Sequence, residues 1–557
     1  MNGAVIENLS NRKLCYILSS LMLAQLLFFL LGGVVAPEPS TYMDYLMTTC
    51  FDKYLGTSGE WFYIRPFNES NCKQLDLAPM DNAYQLKTGD TREIVFVAQM
   101  PHMREGVQLQ YSPWFQSLLG LLEVDIEYSE DNDDWQYGES PELRLEVRMG
   151  YQTNNDRPSQ WHELINVTVS RQLHCSIDED QKRAGHHFNC TPIELFELGS
   201  NDYPFYLINI RIPACEQTGG RFNCQIGRLV ALHVVAIHQN GGFTKVWLSM
   251  KTFLTPVVVI GVAWYWNRIN QLARKPYLVE KAIFALGFTL ALLDLPIEWL
   301  SLWMRTPAML LVSDVRQGLF YAMLFSFWLI FTGEHLMEES GKNNLVFYWR
   351  HLAFVLFTCA CLFVYDLCER GVHLSNPFYS IWSTHFGTNL AYAFIVLATV
   401  SAVIYFCFLA YKVVRVIGTI KRKRASLHQL SKNRRLKFEG IIYRFKFLMV
   451  VTLICAALTV AGFMMEQISE GQLRWGDYLE APSVHTTSAF LTGTFGMWNI
   501  YVLLLLAMYA PSHKQYKNAV QVHSLVDDDD EDDVVVMDTE TATESSALTT
   551  FIKPSTD

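Results

Sequence analysis

The sequence predicts an α+β membrane protein with an antiparallel β domain outside the membrane and eight transmembrane helices. The helices are indicated by eight apolar runs, each close to the roughly 20 residues that a crossing needs. One run precedes a long polar interval and seven follow it. In the polar interval, apolar residues recur at every second position, which is typical of strands with one buried face. The predicted spans are 14–36, 246–266, 282–303, 309–332, 352–368, 388–411, 447–465 and 487–509.

These patterns divide the chain into four segments. A cytoplasmic N-terminus with the first helix occupies 1–36, the β domain 37–245, a seven-helix bundle 246–511 and a disordered tail 512–557. Seven consecutive acids at 527–533 contribute much of the net charge of -11. Hydrophobic residues make up 50% of the chain and charged residues 18%, against roughly 25% charged in a soluble protein. This composition fits a membrane protein that carries one soluble domain.

The first apolar run resembles a secretory signal, because Arg12 and Lys13 precede it and it contains no acid. It is longer than the apolar region of a cleaved signal peptide, which has about 7–15 residues. Pro37 directly follows the run and is unfavourable just after a cleavage site. We therefore predict that the helix is retained as a signal anchor.

Basic residues predict the orientation, because they favour the cytoplasmic side of a membrane. The loop 412–446 contains twelve Lys and Arg residues and a single acid, Glu439. Arg268, Arg274 and Lys275 fall on the same side. Both termini are then cytoplasmic and the β domain lies on the opposite side. Because orientation explains the basic cluster, we predict no nucleic-acid partner.

The β domain is expected to contain six or more strands. Within 143–149, for example, Leu, Leu, Val and Met alternate with Arg, Glu and Arg. Many short strands with little helical pattern favour an antiparallel sandwich or barrel. The other predicted strands are near 94–99, 124–128, 165–173, 206–212 and 229–238.

Six of the twelve cysteines and three glycosylation sequons fall in the β domain, which indicates an oxidising lumen. Six cysteines allow many pairings. We favour sequence neighbours, because each such pair would close one local loop. The favoured pairs are Cys50–Cys72, Cys175–Cys190 and Cys215–Cys224, and the sequons begin at Asn68, Asn166 and Asn189.

Charged residues within membrane helices are costly and usually face an interior or a cavity. Asp294 and Glu298 are four residues apart, so a continuous helix would place them on one face. Such residues either form salt bridges that lock helices together or make a polar vestibule above an apolar pocket, and both interpretations stay open. The others are Asp314, Arg316 and Gln317 near the outer end of the fourth predicted helix, and Asp366, Glu369 and Arg370 near that of the fifth.

Aromatic residues crowd the fourth predicted helix and the outer loop after the fifth. Taken singly, each is best explained as an anchor at the membrane interface. Taken together, they could line a slot for an acyl chain. They are Phe320, Tyr321, Phe325, Phe327 and Trp328 in the helix, and Phe378, Tyr379 and Trp382 in the loop.

The sequence favours a protein without enzymatic activity and without a cofactor. No H-E-x-x-H motif, nucleotide loop, G-x-S-x-G elbow or C-x-x-C pair is present. A membrane acyltransferase or lipase would need a buried histidine with a catalytic partner. His335, His351, His373 and His385 instead fall at predicted helix ends or in loops.

Strings of six or more residues at 238–247, 250–256, 366–371, 376–382 and 509–514 resemble the Wntless family of Wnt cargo receptors. They include D-L-C-E-R-G at 366–371, N-P-F-Y-S-I-W at 376–382 and Y-A-P-S-H-K at 509–514. H-Q-N-G-G-F-T-K-V-W at 238–247 and M-K-T-F-L-T-P at 250–256 add to the likeness. The acidic tail has no such similarity.

The resemblance implies a receptor that carries lipid-modified Wnt proteins from the endoplasmic reticulum and Golgi to the cell surface. Its partners would be acylated Wnt proteins, membrane lipid, and the retromer and endocytic adaptors that retrieve it through endosomes. The β domain would be a lumenal sandwich, and the last seven helices would be arranged like a G-protein-coupled receptor around the acyl chain. Candidate residues around the lipid are Tyr321, Phe325, Phe378 and Trp382, and those near the cargo's protein loops are Asp314, Arg316, Glu369 and Arg370.

One departure concerns endocytosis. Where family members carry the tyrosine signal Y-E-G-L, this chain has Phe438, Glu439, Gly440 and Ile441. These residues are the sorting candidate, and the alternative is that Phe438 begins the interfacial face of the next helix.

A signalling receptor is the main functional alternative. Its β domain would bind an extracellular ligand and its seven helices would engage a G protein through the basic loop 412–446. The triplet Glu369-Arg370-Gly371 resembles a receptor motif only superficially and would face outward. A carrier should cycle through Golgi and endosomes, whereas a receptor should remain mostly at the cell surface.

Overall fold

Two parts make up the structure: a sheet domain, formed by strands between Ser40 and Gln239, and long apolar helices on either side of it in the sequence. We describe them from a computed structural model. The described residues are 11–51, 62–64, 72–74, 94–101, 103–104, 107–129, 137–138, 141–157, 160–183, 185–213, 223–272, 274–334, 344–381, 384–426, 446–462 and 484–511.

Within the described residues, ten strands of the sheet domain belong to two larger sheets. The remaining strands form two short two-stranded ladders. In chain order the strands are β1 (Ser40–Leu46), β2 (Thr48–Phe51), β3 (Lys73–Gln74), β4 (Ile94–Met100), β5 (Met103–Arg104), β6 (Val107–Gln108), β7 (Leu118–Glu127), β8 (Glu142–Gln152), β9 (His162–Gln172), β10 (Cys175–Ser176), β11 (Asn189–Cys190), β12 (Ile193–Leu198), β13 (Phe205–Arg211) and β14 (Arg228–Gln239).

The main strands form two antiparallel sheets. One has the order β1-β14-β7-β12 and the other β3-β2-β4-β13-β8-β9. Apolar side chains from both sheets share one core, with Leu122 and Val234 from the first and Phe96 and Ile208 from the second. The chain passes from one sheet to the other between β1 and β2. The domain is therefore a sandwich, and the barrel alternative is wrong.

The strand pattern of the sequence is confirmed in detail along β8. Leu143, Leu145, Val147 and Met149 are buried, while the residues between them are partly exposed. β14 differs, because consecutive residues from Val234 to His238 are all buried. Its outer face packs into a second, smaller apolar cluster, so this central strand is covered on both sides.

Two of the predicted disulfides are present. Cys50 bonds to Cys72, and Cys175 bonds to Cys190, its direct partner across the β10-β11 ladder. Cys224 is also disulfide-bonded, but Cys215 lies outside the described residues, so that third pairing stays a prediction. Among the sequons, Asn166 and Asn189 are exposed, as glycan attachment requires, and Asn68 lies outside the described residues.

The helices follow the predicted order. They are α1 (Asn11–Leu30, continued by a π-helical turn Leu31–Val35), α2 (Gly241–Asn270), α3 (Leu278–Asp294), α4 (Met309–Glu334), α5 (Trp349–His373), α6 (His385–Ser426), α7 (Lys446–Gly462) and α8 (Val484–Met508). Within the described residues, six are long and apolar enough to cross a membrane, and α3 and α7 are shorter. The count of eight crossings and the receptor-like arrangement stay predictions.

The predicted span 282–303 is wrong in one respect, because it is not one helix. α3 ends at Asp294, Leu295 is extended with ψ 116°, and a 3₁₀ helix (Ile297–Leu302) follows. Pro296 explains the break, since proline disfavours helical backbone in the residue before it and has no N–H to donate. Asp294 and Glu298 therefore do not share a helix face.

The first helix packs along α8 where a glycine on either helix leaves room for the other. Gly32 lies against the α8 backbone, and the rings of Phe28 and Phe29 lie over Gly496 and Gly493. Thr492 Oγ1 donates a hydrogen bond to Phe28 O at 2.9 Å. Small residues permit this close approach, which dispersion and hydrogen bonding stabilise in a membrane.

Candidate functional site

The sheet domain is joined to the helices by a direct continuation of β14 into α2. Only Asn240 separates the two elements, and its side chain accepts a hydrogen bond from Gly242 N, which caps the helix. Gly199, directly after β12, lies so close to the segment before α4 that an added Cβ would be 2.9 Å from Pro307 O. The two parts are therefore in close contact at the outer ends of the helices.

A cavity of about 310 Å³ lies at this contact. Its walls come from β9, the end of β12 and the following loop on one side, and from α4 and α5 on the other. The lining includes both polar side chains and apolar ones, such as Leu164, Leu310 and Leu374. The polar and aromatic members include Glu197, Ser200, Asp202, Tyr203, Arg370 and His373.

An ion pair joins the two helices at the edge of the cavity. Arg370 on α5 donates to Asp314 on α4, and both side chains are about three-quarters buried. At this position the charged side chains form an interhelical salt bridge, which is one of the two interpretations left open by the sequence. Glu369, the neighbouring candidate, is buried on α5.

A second cluster of charges lies at the helix break. Glu298 accepts from Lys251 Nζ at 2.7 Å and from Arg316 Nη2 at 2.5 Å. The three side chains are only 5%, 4% and 11% exposed, respectively. Arg316 also donates to Leu295 O at 2.6 Å, a carbonyl that the break leaves outside the helix ladder. Burial of this kind requires pairing, because an isolated charge would lose its hydration.

The placement of Arg316 near the cargo's protein loops stays a prediction. In the structure its guanidinium donates to Glu298 and to the carbonyl of Leu295. The helix break at Pro296 brings both acceptors to it. Arg316 therefore holds α4 against the end of α3.

One face of α4 leads from the cavity into the bundle. Leu310 lines the cavity and Asp314 pairs at its edge, and Gln317, Tyr321 and Phe325 follow at helical spacings of three and four. From Leu310 to Phe325 the helix rises about 22 Å. The stripe thus changes from polar near the sheet domain to aromatic at membrane depth.

The lower part of this stripe lies in an aromatic cluster. Tyr321 and Phe325 stack with their ring centroids 5.9 Å apart. Trp498 of α8 meets Tyr321 edge-on at 5.3 Å, and Tyr405 of α6 lies 5.1 Å from Phe325. Tyr405 Oη also donates to Phe325 O at 2.8 Å, so this buried hydroxyl has an acceptor. Helices α4, α6 and α8 therefore converge on the two predicted lipid-contacting residues.

The structure places Phe378 elsewhere. Its ring is 1% exposed in the core of the sheet domain, 5.5 Å from the ring of Phe196. The expectation that it lines a slot among the helices is wrong, because the loop after α5 turns into the sandwich. Trp382 lies outside the described residues.

Hydrogen bonds to two main-chain carbonyls of this loop fix it to β12 and β9. Glu197 N donates to Pro377 O at 2.8 Å, and Arg171 Nη2 donates to Phe378 O at 2.7 Å. The loop thus connects the sheet domain to the ends of α5 and α6. Any movement of the domain relative to these helices must carry the loop with it.

Sequence reasoning missed several residues of this region. Lys251 is the partner of Glu298, and Trp498 and Tyr405 complete the aromatic cluster. A lone lysine within an apolar run indicates a buried anionic partner, so the sequence around Lys251 could have predicted that it forms an ion pair. The aromatic residues of α6 and α8 could not be predicted in the same way, since sequence periodicity does not show which helices are in contact.

His238 makes the sheet domain sensitive to acid. Its Nε2 lies 2.9 Å from Thr41 Oγ1, and its ring packs edge-on against Phe115 and Tyr111. Burial lowers the pKa of His238 to about 4. The unfolded chain binds a proton as pH falls through roughly 6.5, whereas the folded domain does not until about pH 4, so stability is lost across that interval. His233 has the opposite effect on stability in acid, because its hydrogen bond to Asp44 raises its pKa.

We expect His238→Phe to reduce the loss of thermal stability between pH 7 and pH 5. The measurement is the melting temperature of the purified full chain at both values. His162→Phe is the matched control, because the side chain of His162 is 42% exposed. Equal acid sensitivity in the His238 variant and the unmodified chain would contradict the assignment.

The fold and the site define a class of protein, a multi-pass membrane protein whose β-sandwich is docked on the ends of its helices. Two family models divide the chain at the junction described above: the Wntless GOLD domain matches residues 48–239 and the Wntless-like transmembrane domain matches 240–513. The chain belongs to the Wntless family.

Relatives support this assignment over nearly the whole length. The chain is 53% identical over 560 residues to Protein wntless homolog of Caenorhabditis elegans, covering 100% of both chains. It is 44% identical over 520 residues to Protein wntless homolog B of Xenopus laevis, covering 93% of this chain and 92% of the relative. It is 42% identical over 521 residues to Protein wntless homolog of Homo sapiens, with the same coverage.

Proposed function

We propose that this protein is a non-enzymatic carrier of lipid-modified Wnt proteins in the secretory pathway. It binds cargo in the endoplasmic reticulum and Golgi, escorts it to the cell surface and returns through endosomes. Membership of the Wntless family supports the cargo class. The sheet domain is then lumenal and both termini are cytoplasmic, as the basic loop 412–446 predicts.

The physical need for such a carrier comes from the acyl group. Burial of a chain contributes about 0.8 kcal/mol per CH₂, so a sixteen-carbon chain represents on the order of 10 kcal/mol. A secreted protein with this group exposed would stay on membranes or aggregate. A carrier must therefore enclose the chain while holding the polar cargo outside the membrane.

The stripe on α4 is the observation that carries the proposal. It joins a polar cavity beside the sheet domain to an aromatic cluster among the helices. We assign Tyr321 and Phe325 to the acyl chain. Asp314 and Arg370, with Glu369 next to them, are assigned to the cargo's protein loops. An ion pair at the mouth of the site can exchange partners with a charged loop without leaving a buried charge unpaired.

Recycling would use retromer and endocytic adaptors. The sorting candidate is Phe438-Glu439-Gly440-Ile441, which lies outside the described residues. A phenylalanine lacks the tyrosine hydroxyl of the family signal. Restoring it through Phe438→Tyr should increase the rate of internalisation if this segment binds an adaptor.

The direct test of function is secretion of a Wnt protein from cells that lack this chain. Normal cargo should be retained without the carrier and secreted when it is restored. Cargo whose acylated serine is mutated should be secreted to the same extent in both cases, because it has no chain to shelter. Equal secretion of normal cargo with and without the carrier would overturn the proposal.

We expect Phe325→Trp to reduce the cargo that co-purifies with each carrier molecule. Overfilling a packed site costs about 1–3 kcal/mol, which corresponds to roughly 5- to 150-fold weaker binding. Phe357→Trp is the matched control, because Phe357 is 54% exposed on the outer face of α5. The measurement is the ratio of Wnt to carrier after purification, which corrects for lower expression. An unchanged ratio for Phe325→Trp would remove this residue from the lipid site.

A further inference from the structure

A cluster of cations lies where α5 begins and α6 approaches its end, on the side of the bundle away from the sheet domain. His373 at the other end of α5 lines the cavity beside the sheet domain. The helix rises about 35 Å from Arg350 to His373, slightly more than the roughly 30 Å of a hydrocarbon core. Arg350 is therefore at the headgroup level of the opposite leaflet.

Basic residues from two helices contact the same aromatic ring in this cluster. The imidazole of His351 on α5 stacks on the ring of Phe408 on α6, with centroids 4.9 Å apart. Lys412 Nζ lies 5.1 Å from the centroid of the same ring. Arg350 is the next residue on α5 and is exposed. The contacts hold His351 and Lys412 together from separate helices, although each is a cation when protonated.

Acids do not neutralise this cluster within the part of the chain that the structure describes. None of Arg350, His351 and Lys412 takes part in an ion pair with a described carboxylate. Arg350 and Lys412 instead make cation–π contacts, with Arg350 6.0 Å from the ring of Trp349 and Lys412 5.1 Å from that of Phe408. Like charges held near one another repel, so an anion bound between them would lower the electrostatic energy.

The residues just before α5 show that the cluster lies at a lipid surface. The 3₁₀ helix Leu345–Phe347 has three apolar side chains, each more than half exposed, and Trp349 is 58% exposed. In water this surface would be unfavourable, whereas aromatic and apolar side chains are common at the membrane interface. The cations thus border lipid headgroups.

We propose that Arg350, His351 and Lys412 bind the phosphorylated headgroup of an anionic phospholipid in the leaflet away from the sheet domain. Orientation bias explains why basic residues are on this side, but it does not require that two helices bring them to one ring. Basic pockets between membrane helices are suited to such headgroups. This site is separate from the cargo site and does not depend on the carrier function.

The test titrates phosphatidylinositol monophosphate into the purified full chain in phosphatidylcholine nanodiscs and measures the bound lipid. We expect binding to weaken about fivefold for each cation removed, so the double variant Arg350→Gln, Lys412→Gln should bind much less lipid. Lys281→Gln is the matched control, because Lys281 is an exposed lysine in the first turn of α3 on the same side of the membrane.

A second arm replaces the lipid with its water-soluble headgroup, which separates a lipid site from a site for free inositol phosphate. The proposal predicts weaker binding of the headgroup alone. Equal binding of lipid to the double variant and the unmodified chain would overturn it. Equal affinities for the headgroup and the whole lipid would also overturn it. Melting temperatures verify that both variants are folded.

Discussion

Replacing Glu298 with leucine is expected to destabilise the protein by about 3–5 kcal/mol, because it leaves two buried cations without their shared partner. Lys251 and Arg316 both donate to this carboxylate, at 2.7 Å and 2.5 Å. Loss of the carboxylate would also release the 3₁₀ helix that follows the break at Pro296. The measurement is the thermal unfolding midpoint of the full chain in detergent.

Two controls separate this effect from a general response to mutation. Glu179→Leu removes the partner of Lys182 from an exposed pair, which should cost less than about 1 kcal/mol. Lys251→Met combined with Glu298→Leu should recover part of the loss, because only Arg316 then lacks its carboxylate and it keeps the carbonyl of Leu295. Equal effects of Glu298→Leu and Glu179→Leu would show that the buried cluster is not structurally important.

Gly32→Ala is expected to displace the first helix from α8. A Cβ at this position would lie 2.1 Å from Thr492 Oγ1 and 2.3 Å from Ser488 O, and the second of these atoms is backbone. Because the α8 backbone cannot move aside as a side chain can, the helices must separate, at a cost of about 1–3 kcal/mol. The same thermal measurement should show a lower midpoint.

The neighbouring glycine supplies the control for this prediction. At Gly33 an added Cβ would be 3.5 Å from Ala489 Cβ, which is an ordinary contact. Gly33→Ala should therefore change the midpoint little. Cross-linking between cysteines introduced on α1 and α8 should fall only in the Gly32 variant. If both variants behave alike, the two helices do not pack as the structure shows.

The sequence predicts those parts of the fold that depend on one element at a time. The alternation at 143–149 correctly identifies the buried face of β8, because a period of two is a property of the strand itself. Membrane-length apolar runs likewise identify six helices. Pairing of Cys50 with Cys72 could be chosen because the two residues are near each other in the chain.

The candidate site depends on which elements meet, and this is where prediction from sequence is weaker. The sequence predicts Phe378 near the acyl chain, yet its ring packs on Phe196 in the core of the sheet domain. Arg316 pairs with Glu298, which the sequence places on a helix face with Asp294 but which lies in the 3₁₀ helix after Pro296. Residue type indicates burial and pairing, but the partner is decided by long-range packing.

Acyl-chain placement can be measured directly by photo-cross-linking. A Wnt protein acylated with a chain that carries a diazirine near its end would be purified with the full-length carrier, irradiated and mapped by mass spectrometry. We predict adducts around Phe325, on the facing residues of α4, α6 and α8. Adducts confined to the lipid-exposed surfaces of the helices, or no adducts on the carrier, would contradict enclosure of the chain.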